Sequence, residues 1–419
     1  MKFRKLAIIF ATVMALSGCS GKEGKTDTSK LPSDTPYCRN IMETESGYYY
    51  NVAQTLSLRY TEKATGKDIF LCAKPECMHD GNDACTATYN NLIVSEPVLY
   101  DGYIYFVGEI RTKEITGYSL YKAAPDGSSL DKITDIAEQK KPPQYDNMVG
   151  SLDRFIIHKG YAYVTYCMGQ KTYDGYIGSG FAKVNIQTGE VEDIFKFDDF
   201  FSSASIGVYA GCGDYIYYSA YSRSSAVMQS GTYRYNIKTG ESEKILDSTN
   251  GDVWVECFDE DVLWYMSFND EKEFVITGHD SKTLEPNGIE INTGESAICG
   301  ILYYEDKFFL QGKENITVLS NEGEKLGTIK SMGVDGDEMP DGSVYYNGSI
   351  LDISYGKLYT SVAPGGEQYM PDKTEIYCCN IEDILNGKGK WEKAYTKNSW
   401  SEYWEEDPVW QVLQEEEGE

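Results

Sequence analysis

The densest gathering of metal-capable side chains in this 419-residue sequence is LCAKPECMHDGNDAC, which brings Cys72, Cys77, His79 and Cys85 within fourteen residues. Three thiolates and one imidazole form a tetrahedral ligand set suited to Zn2+. A set in which the protein fills all four positions is structural, because a catalytic zinc keeps one position open and draws on a nearby general base. Glu76 and Asp80 are the neighbouring carboxylates that could serve as such a base. The spacing C-x4-C-x-H-x5-C differs from paired zinc knuckles, and the same cysteines support a second reading. An exported chain meets oxidising surroundings, where Cys38 with Cys72, Cys77 and Cys85 would form two disulfides in one of three pairings. Free thiols are the third reading, and spacing does not separate the three; as metal site or disulfides the role is the same: a staple for a long loop with little core of its own.

Other reactive residues give weaker patterns. There is no Gly-x-Ser-x-Gly elbow, no His-Glu-x-x-His and no Gly-x-Gly-x-x-Gly, and His79, His158 and His279 lie far apart. Cys167, Cys212, Cys257 and Cys299 recur at steps of 45, 45 and 42 residues and read as small buried hydrophobes. Cys378 and Cys379 adjoin in a strand and must face opposite ways. Asp259, Glu260 and Asp261, and likewise Asp335, Asp337, Glu338 and Asp341, read as solvated turns.

Cys19 carries a different chemistry. Residues 1–19 open with Lys2, Arg4 and Lys5, continue through an apolar run from Leu6 to Leu16, and end in Leu16-Ser17-Gly18-Cys19. The layout is that of a secretory signal, and its end resembles the lipobox of bacterial lipoproteins. The resemblance implies that Cys19 is acylated and becomes the N-terminus, tethering the protein by lipid to the extracytoplasmic face of the cell membrane. Residues 20–36, poor in apolar side chains, read as a flexible tether.

Composition narrows the partners. With 66 acidic against 38 basic residues the formal charge is -28, which opposes a phosphate backbone and excludes nucleic acid as a partner. An apolar fraction of 41% with mean hydropathy of -0.44 describes a chain with enough material for a core.

The elements that must position these residues follow from a repeat. A turn pair followed by an aromatic strand recurs in SGYYYN, DGYIYFVG, KGYAYVTY, GDYIYYSA, EDVLWYMS, EDKFFLQG and YGKLYTSV. Its markers are Tyr49, Tyr105, Tyr163, Tyr217, Trp264, Phe309 and Tyr359, at steps of 56, 58, 54, 47, 45 and 50 residues. After most markers comes a strand pair around Thr65-Gly66, Asp126-Gly127, Thr188-Gly189, Thr239-Gly240 or Glu322-Gly323, where Gly supplies the positive φ of a tight turn. The fifth and seventh units are less regular. Four short strands repeated at this period predict an all-β, seven-bladed β-propeller of four-stranded antiparallel blades over residues 37–396, with six or eight blades as alternatives. A blade is covered on both faces, so its second strand should be apolar throughout, as YIYFV is. Residues 397–419, with Trp400, Trp404 and Trp410 among acidic side chains, read as a tail.

DGYIYF followed by SLYKAAPDGS resembles the propellers of TolB and of the low-density-lipoprotein-receptor YWTD type. That resemblance implies an extracytoplasmic propeller recognising proteins or envelope polymers, and carries no catalytic residue. Three functions are therefore expected in order: a lipid-anchored binding or scaffold protein with an unknown protein or glycan ligand, a lyase or hydrolase of envelope polysaccharide, or an accessory subunit of a transport or envelope complex. The cofactor expected is structural zinc and nothing else.

Overall fold

The computed structural model describes residues 41–398 except 52–56, 78, 80–84, 88–94, 112–114, 141–147, 152–154, 171–177, 198–203, 223–228, 248–252, 259–260, 313, 333–347 and 363–372. Cys19, Cys38, the tether, Asp259, Glu260, the Asp335–Asp341 group and the three C-terminal tryptophans lie outside the described residues.

Seven antiparallel sheets follow one another along the chain. Blade 1 holds β1 (Met42–Glu43), β2 (Gly47–Asn51), β3 (Leu58–Glu62) and β4 (Asp68–Phe70). Blade 2 holds β5 (Val98–Tyr100), β6 (Tyr103–Arg111), β7 (Ile115–Ala123) and β8 (Leu130–Lys140). In blade 3 the first strand is broken into β9 (Met148–Ser151) and β10 (Phe155–His158), followed by β11 (Tyr161–Gln170), β12 (Gly178–Asn185) and β13 (Val191–Phe197). Blade 4 is β14 (Ala204–Cys212), β15 (Tyr215–Ser222), β16 (Gly231–Asn236) and β17 (Ser242–Asp247). Blade 5 is β18 (Val253–Phe258), β19 (Val262–Phe268), β20 (Phe274–Asp280) and β21 (Pro286–Asn292). Blade 6 is β22 (Gly300–Tyr304), β23 (Lys307–Gln311), β24 (Asn315–Ser320) and β25 (Lys325–Lys330). Blade 7 is β26 (Gly348–Ser354), β27 (Lys357–Val362), β28 (Lys373–Asn380) and β29 (Glu392–Asn398), with a short helix α1 (Ile381–Leu385) between the last two. The chain is a seven-bladed β-propeller, as its repeat predicts.

The markers explain the ring. Each sits in the second strand of its blade and is at most 6% exposed. Because side chains alternate across a strand, the marker faces one neighbouring blade and its flanking residues face the other. Tyr163 joins the core with blade 4, while Ala162 and Val164 join the core with blade 2. The same parity holds round the ring, so the seven markers supply one large side chain to each of seven interfaces. Cys378 and Cys379 obey it too, the first packing toward blade 1 and the second toward blade 6.

Alternation of strand direction puts the turns between first and second strands at one face of the ring, together with those between third and fourth strands. The first set spans only two or three residues, and at Asp101-Gly102, Lys159-Gly160, Glu305-Asp306 and Tyr355-Gly356 both residues have positive φ, as type I′ hairpins require. At the opposite face the second strands end, the third strands begin and one blade leads to the next, and there the strands are separated by longer stretches of sequence, as between β4 and β5 and between β25 and β26. One face is tight and the other elaborated. The described chain starts and ends on the elaborated face.

Among the described residues no strand is exchanged between blades 7 and 1, and side chains join the two. Tyr48 and Tyr50 stack against Tyr395, and the Tyr48 and Tyr359 hydroxyls lie 3.4 Å apart. The Ile41 N–H donates to Asp352 at 3.2 Å. Glu43, whose side chain is fully buried, lies 2.7 Å from Lys63 of its own blade and 3.9 Å from Lys357 of blade 7. Lys397 pairs with Glu96 across the same region.

Candidate metal centre

β4 is three residues long, whereas the fourth strands of the other blades have six to eleven. The segment that follows takes over the outer edge of blade 1. Leu71 N–H donates to the Leu58 carbonyl at 2.9 Å, and Leu58 N–H donates to Ala87 at 2.8 Å, so both ends of the ligand-bearing segment are pinned to the start of β3. Its far side rests on the outer hairpin of blade 2. Gly127 O accepts from Ala73 N–H at 3.1 Å and from the Thr86 hydroxyl at 2.6 Å. Gly127 has a φ of 71°, and a Cβ there would stand 2.8 Å from the Leu71 carbonyl and Cys72 nitrogen. Only glycine fits that turn and that contact together.

Within this frame the ligand atoms of Cys72, Cys77, His79 and Cys85 all lie within 4.8 Å of one another. His79 Nδ1 is 3.5 Å from Cys85 Sγ. In a tetrahedron with Zn–S of about 2.3 Å and Zn–N of about 2.0 Å, neighbouring ligand atoms stand roughly 3.5–3.8 Å apart, so the four donors need little movement to close on one ion. Cys72, Cys77 and Cys85 are free thiols, converging with the imidazole instead of pairing among themselves. Cys85 is buried, Cys72, Cys77 and His79 are half-buried, and their packing belongs to the core between blades 1 and 2.

The imidazole is oriented from outside the cluster. Its ring stacks on Phe70 with centroids 4.4 Å apart and planes at 23°, and the Arg59 guanidinium covers the same Phe70 at 4.1 Å. Arg59 is itself fixed by Asp68 at 2.5 Å. The thiols are unlike one another. Burial raises the Cys72 thiol, but hydrogen bonds from Thr86, the Lys74 backbone and Cys77 outweigh it and bring it down to about 7. Cys77 is pushed up to about 11, by burial first and then by the adjacent Cys85 and Cys72 thiols. Negative charges this close repel one another, which favours a cation among them. A divalent ion held by these four donors would supply such a charge and displace thiol protons.

The other reactive residues stay apart. His158 is buried, with Nε2 2.9 Å from the Gly213 carbonyl, and His279 places Nδ1 3.0 Å from the Leu284 carbonyl. Both are committed to backbone in different blades. Cys299 is exposed and Cys212 half-buried, which corrects the expectation that this spaced set is uniformly buried: Cys299 precedes β22 in a connection, outside the strand positions that pack. Asp261 pairs with Lys282 at 3.4 Å in a solvated turn. Spacing singled out the four side chains that the fold brings together. It missed Arg59, Phe70, Thr86 and Gly127, which reach the site only through strand pairing and the meeting of two blades.

Comparison with known proteins places the architecture. No family model matches the chain, and no curated protein matches it in sequence. Solved structures match it in fold: prolyl oligopeptidase B from Galerina marginata is 10% identical, with a TM-score of 0.54 over 89% of this chain and 53% of that one. TolB from Acinetobacter baumannii is 10% identical, with a TM-score of 0.34 over 68% of this chain and 64% of that one. An oligogalacturonate lyase solved with manganese is 11% identical, with a TM-score of 0.44 over 83% and 84%. What this chain shares with them is the propeller.

Proposed function

We propose that this protein is a lipid-anchored, extracytoplasmic propeller that binds a protein or glycan ligand at the cell envelope and uses a structural zinc to complete its first blade. The observation that carries the binding role is the inequality of the two faces. Tight turns need no length beyond geometry, so the face at which β4 and β25 end, each followed by a long stretch of sequence before the next strand, is where the ring has length to spare for recognition. The carboxylates described on or beside first strands have structural partners: Glu43 with lysines, Glu96 with Lys397, Asp352 with the Ile41 N–H. A binding role agrees with that commitment better than general acid–base work does. Zinc agrees with the donor set and with the convergence of four ligand atoms in a segment that replaces strand length.

The anchor is tested by fractionation. Cys19→Ala should move the protein from the membrane to the soluble fraction, and unchanged partitioning refutes the lipid tether. The recognition face is tested in cells with photo-crosslinking residues. One placed at Asp270, exposed on the elaborated face, should capture ligand, and one at Glu305, exposed on the tight face, should not. Capture through Glu305 alone would overturn the assignment.

A further inference from the structure

Blade 1 differs from its six companions in ways that meet at the Cys/His cluster. Its first strand has two residues and its fourth three, so its own ladder holds it weakly. On the blade 2 side, the shared core is built in large part from the ligand-bearing segment: Leu71, Cys85 and Ala87 are buried in it, and Cys72 and Cys77 pack against it. The Ala73 N–H and the Thr86 hydroxyl of this segment both donate to the Gly127 carbonyl of blade 2. On the blade 7 side the described strands are not shared, and the contacts are between side chains. Closure there needs Glu43 to keep a fully buried carboxylate beside Lys63 and Lys357, and its Oε2 has no hydrogen-bond partner among the described residues. A buried charge is tolerable only while its counter-charges stay in place.

We infer that metal binding at Cys72, Cys77, His79 and Cys85 controls closure of the ring: the loaded protein is a closed seven-bladed ring, and the stripped protein is one whose first blade has undocked from blades 2 and 7. The inference rests on the zinc reading and adds its consequence. Without the ion, three thiols and an imidazole leave a polar hollow in the core between blades 1 and 2, and the segment that forms the outer edge of β3 loses its staple. Once that edge loosens, β1 and β2 no longer hold Glu43, Tyr48 and Tyr50 against blade 7, and the side-chain contacts of that seam give way next. Among the described residues the core around the ligand-bearing segment draws on blades 1 and 2 alone, so blades 3 to 6 keep their packing. Zinc availability outside the cytoplasm thus sets whether the ring is closed.

The test is hydrogen exchange on the purified full chain, before and after chelation and after Zn2+ is returned, with metal content measured in each sample. The expected result is about one equivalent of zinc, and at least a tenfold faster exchange on stripping at Gly47–Asn51 and Lys357–Val362. Gly231–Asn236 in blade 4 should be unchanged, and returning zinc should restore protection. Cys77→Ser should reproduce the stripped state and Cys299→Ser the loaded one; if Cys77→Ser fails to fold, chelation of the natural chain still decides. Bound zinc whose removal leaves Lys357–Val362 protected overturns ring control and leaves the zinc reading intact. Protein that takes up no zinc overturns both. Loss of protection in blade 4 as well would make the metal a requirement of the whole fold and overturn local control.

Discussion

His79 has a φ of 56°, a conformation that costs a non-glycine residue of order 1–3 kcal/mol unless its surroundings impose it. The surroundings are Phe70 on one ring face and the cluster on its edge, with Arg59 behind Phe70. Partners that orient a ligand commonly contribute ten- to a hundredfold in metal affinity. Phe70→Ala should therefore weaken zinc binding by roughly that factor in competition with a chromogenic chelator, and Phe70→Tyr, which keeps the ring, should restore most of it. Equal affinity for all three would mean that the ion alone orients the imidazole. The four donors could be read from sequence because coordination demands particular atoms at close spacing. Arg59 and Phe70 could not, since what joins them is the pairing of β3 with β4, where they are directly opposite.

At the scale of elements, the outer hairpins show what a turn glycine does beyond turning. Gly66 and Gly127 have φ of 67° and 71°, and the repeat assigns both to the same turn position. Space distinguishes them: a Cβ at Gly66 meets nothing within 4 Å, whereas one at Gly127 runs into the Leu71 carbonyl and the Cys72 nitrogen. Gly66→Ala should cost only the backbone conformation, about 1 kcal/mol. Gly127→Ala should cost about 1–3 kcal/mol more and lower zinc affinity as well, because the clash is resolved by pushing the ligand-bearing segment away. Denaturation midpoints with and without zinc give both quantities, and equal losses would deny the hairpin any part in the metal centre. The same position explains why the fifth unit is hard to read. Leu284, with a φ of 66°, stands where other blades have Gly, and its N–H donates to Asp280 at 2.8 Å just as Gly189 N–H donates to Asn185 at 2.8 Å. Asp280 holds that turn by accepting from the Lys282 and Thr283 N–H groups, so no glycine marks it. In the seventh unit the turn is replaced by α1, started by the Asn380 side chain accepting from Glu382 N–H.

The ring as a whole stands on aromatic packing between blades, and that makes its stability depend on alkaline pH. Of 35 tyrosines, Tyr48, Tyr49, Tyr218 and Tyr265 are pushed up to about 12, burial being the largest cause for each. They come from interfaces around the ring, including the closure between blades 7 and 1. Tyrosine in an unfolded chain ionises near 10. A phenol whose folded value is raised stays protonated while its unfolded counterpart ionises, so its contribution is fully present below pH 10 and is lost as pH climbs from about 10 to 12. Stability should be level up to about pH 9.5 and then fall steeply, with tyrosinate absorbance rising in one cooperative step together with the loss of strand dichroism. A net charge of -28 also loosens the fold at high pH, as lysines lose their protons. Salt separates the two causes. Repulsion between exposed charges is screened at 1 M salt, where the Debye length is about 3 Å, while the cost of ionising a buried phenol is not. The step should keep its place within a few tenths of a pH unit between 0.1 and 1 M salt, near the roughly 10 Å and 3 Å screening lengths. A broad titration starting below the step, with dichroism unchanged, would mean that water reaches these hydroxyls and that the interfaces are not the packed seams the markers predict.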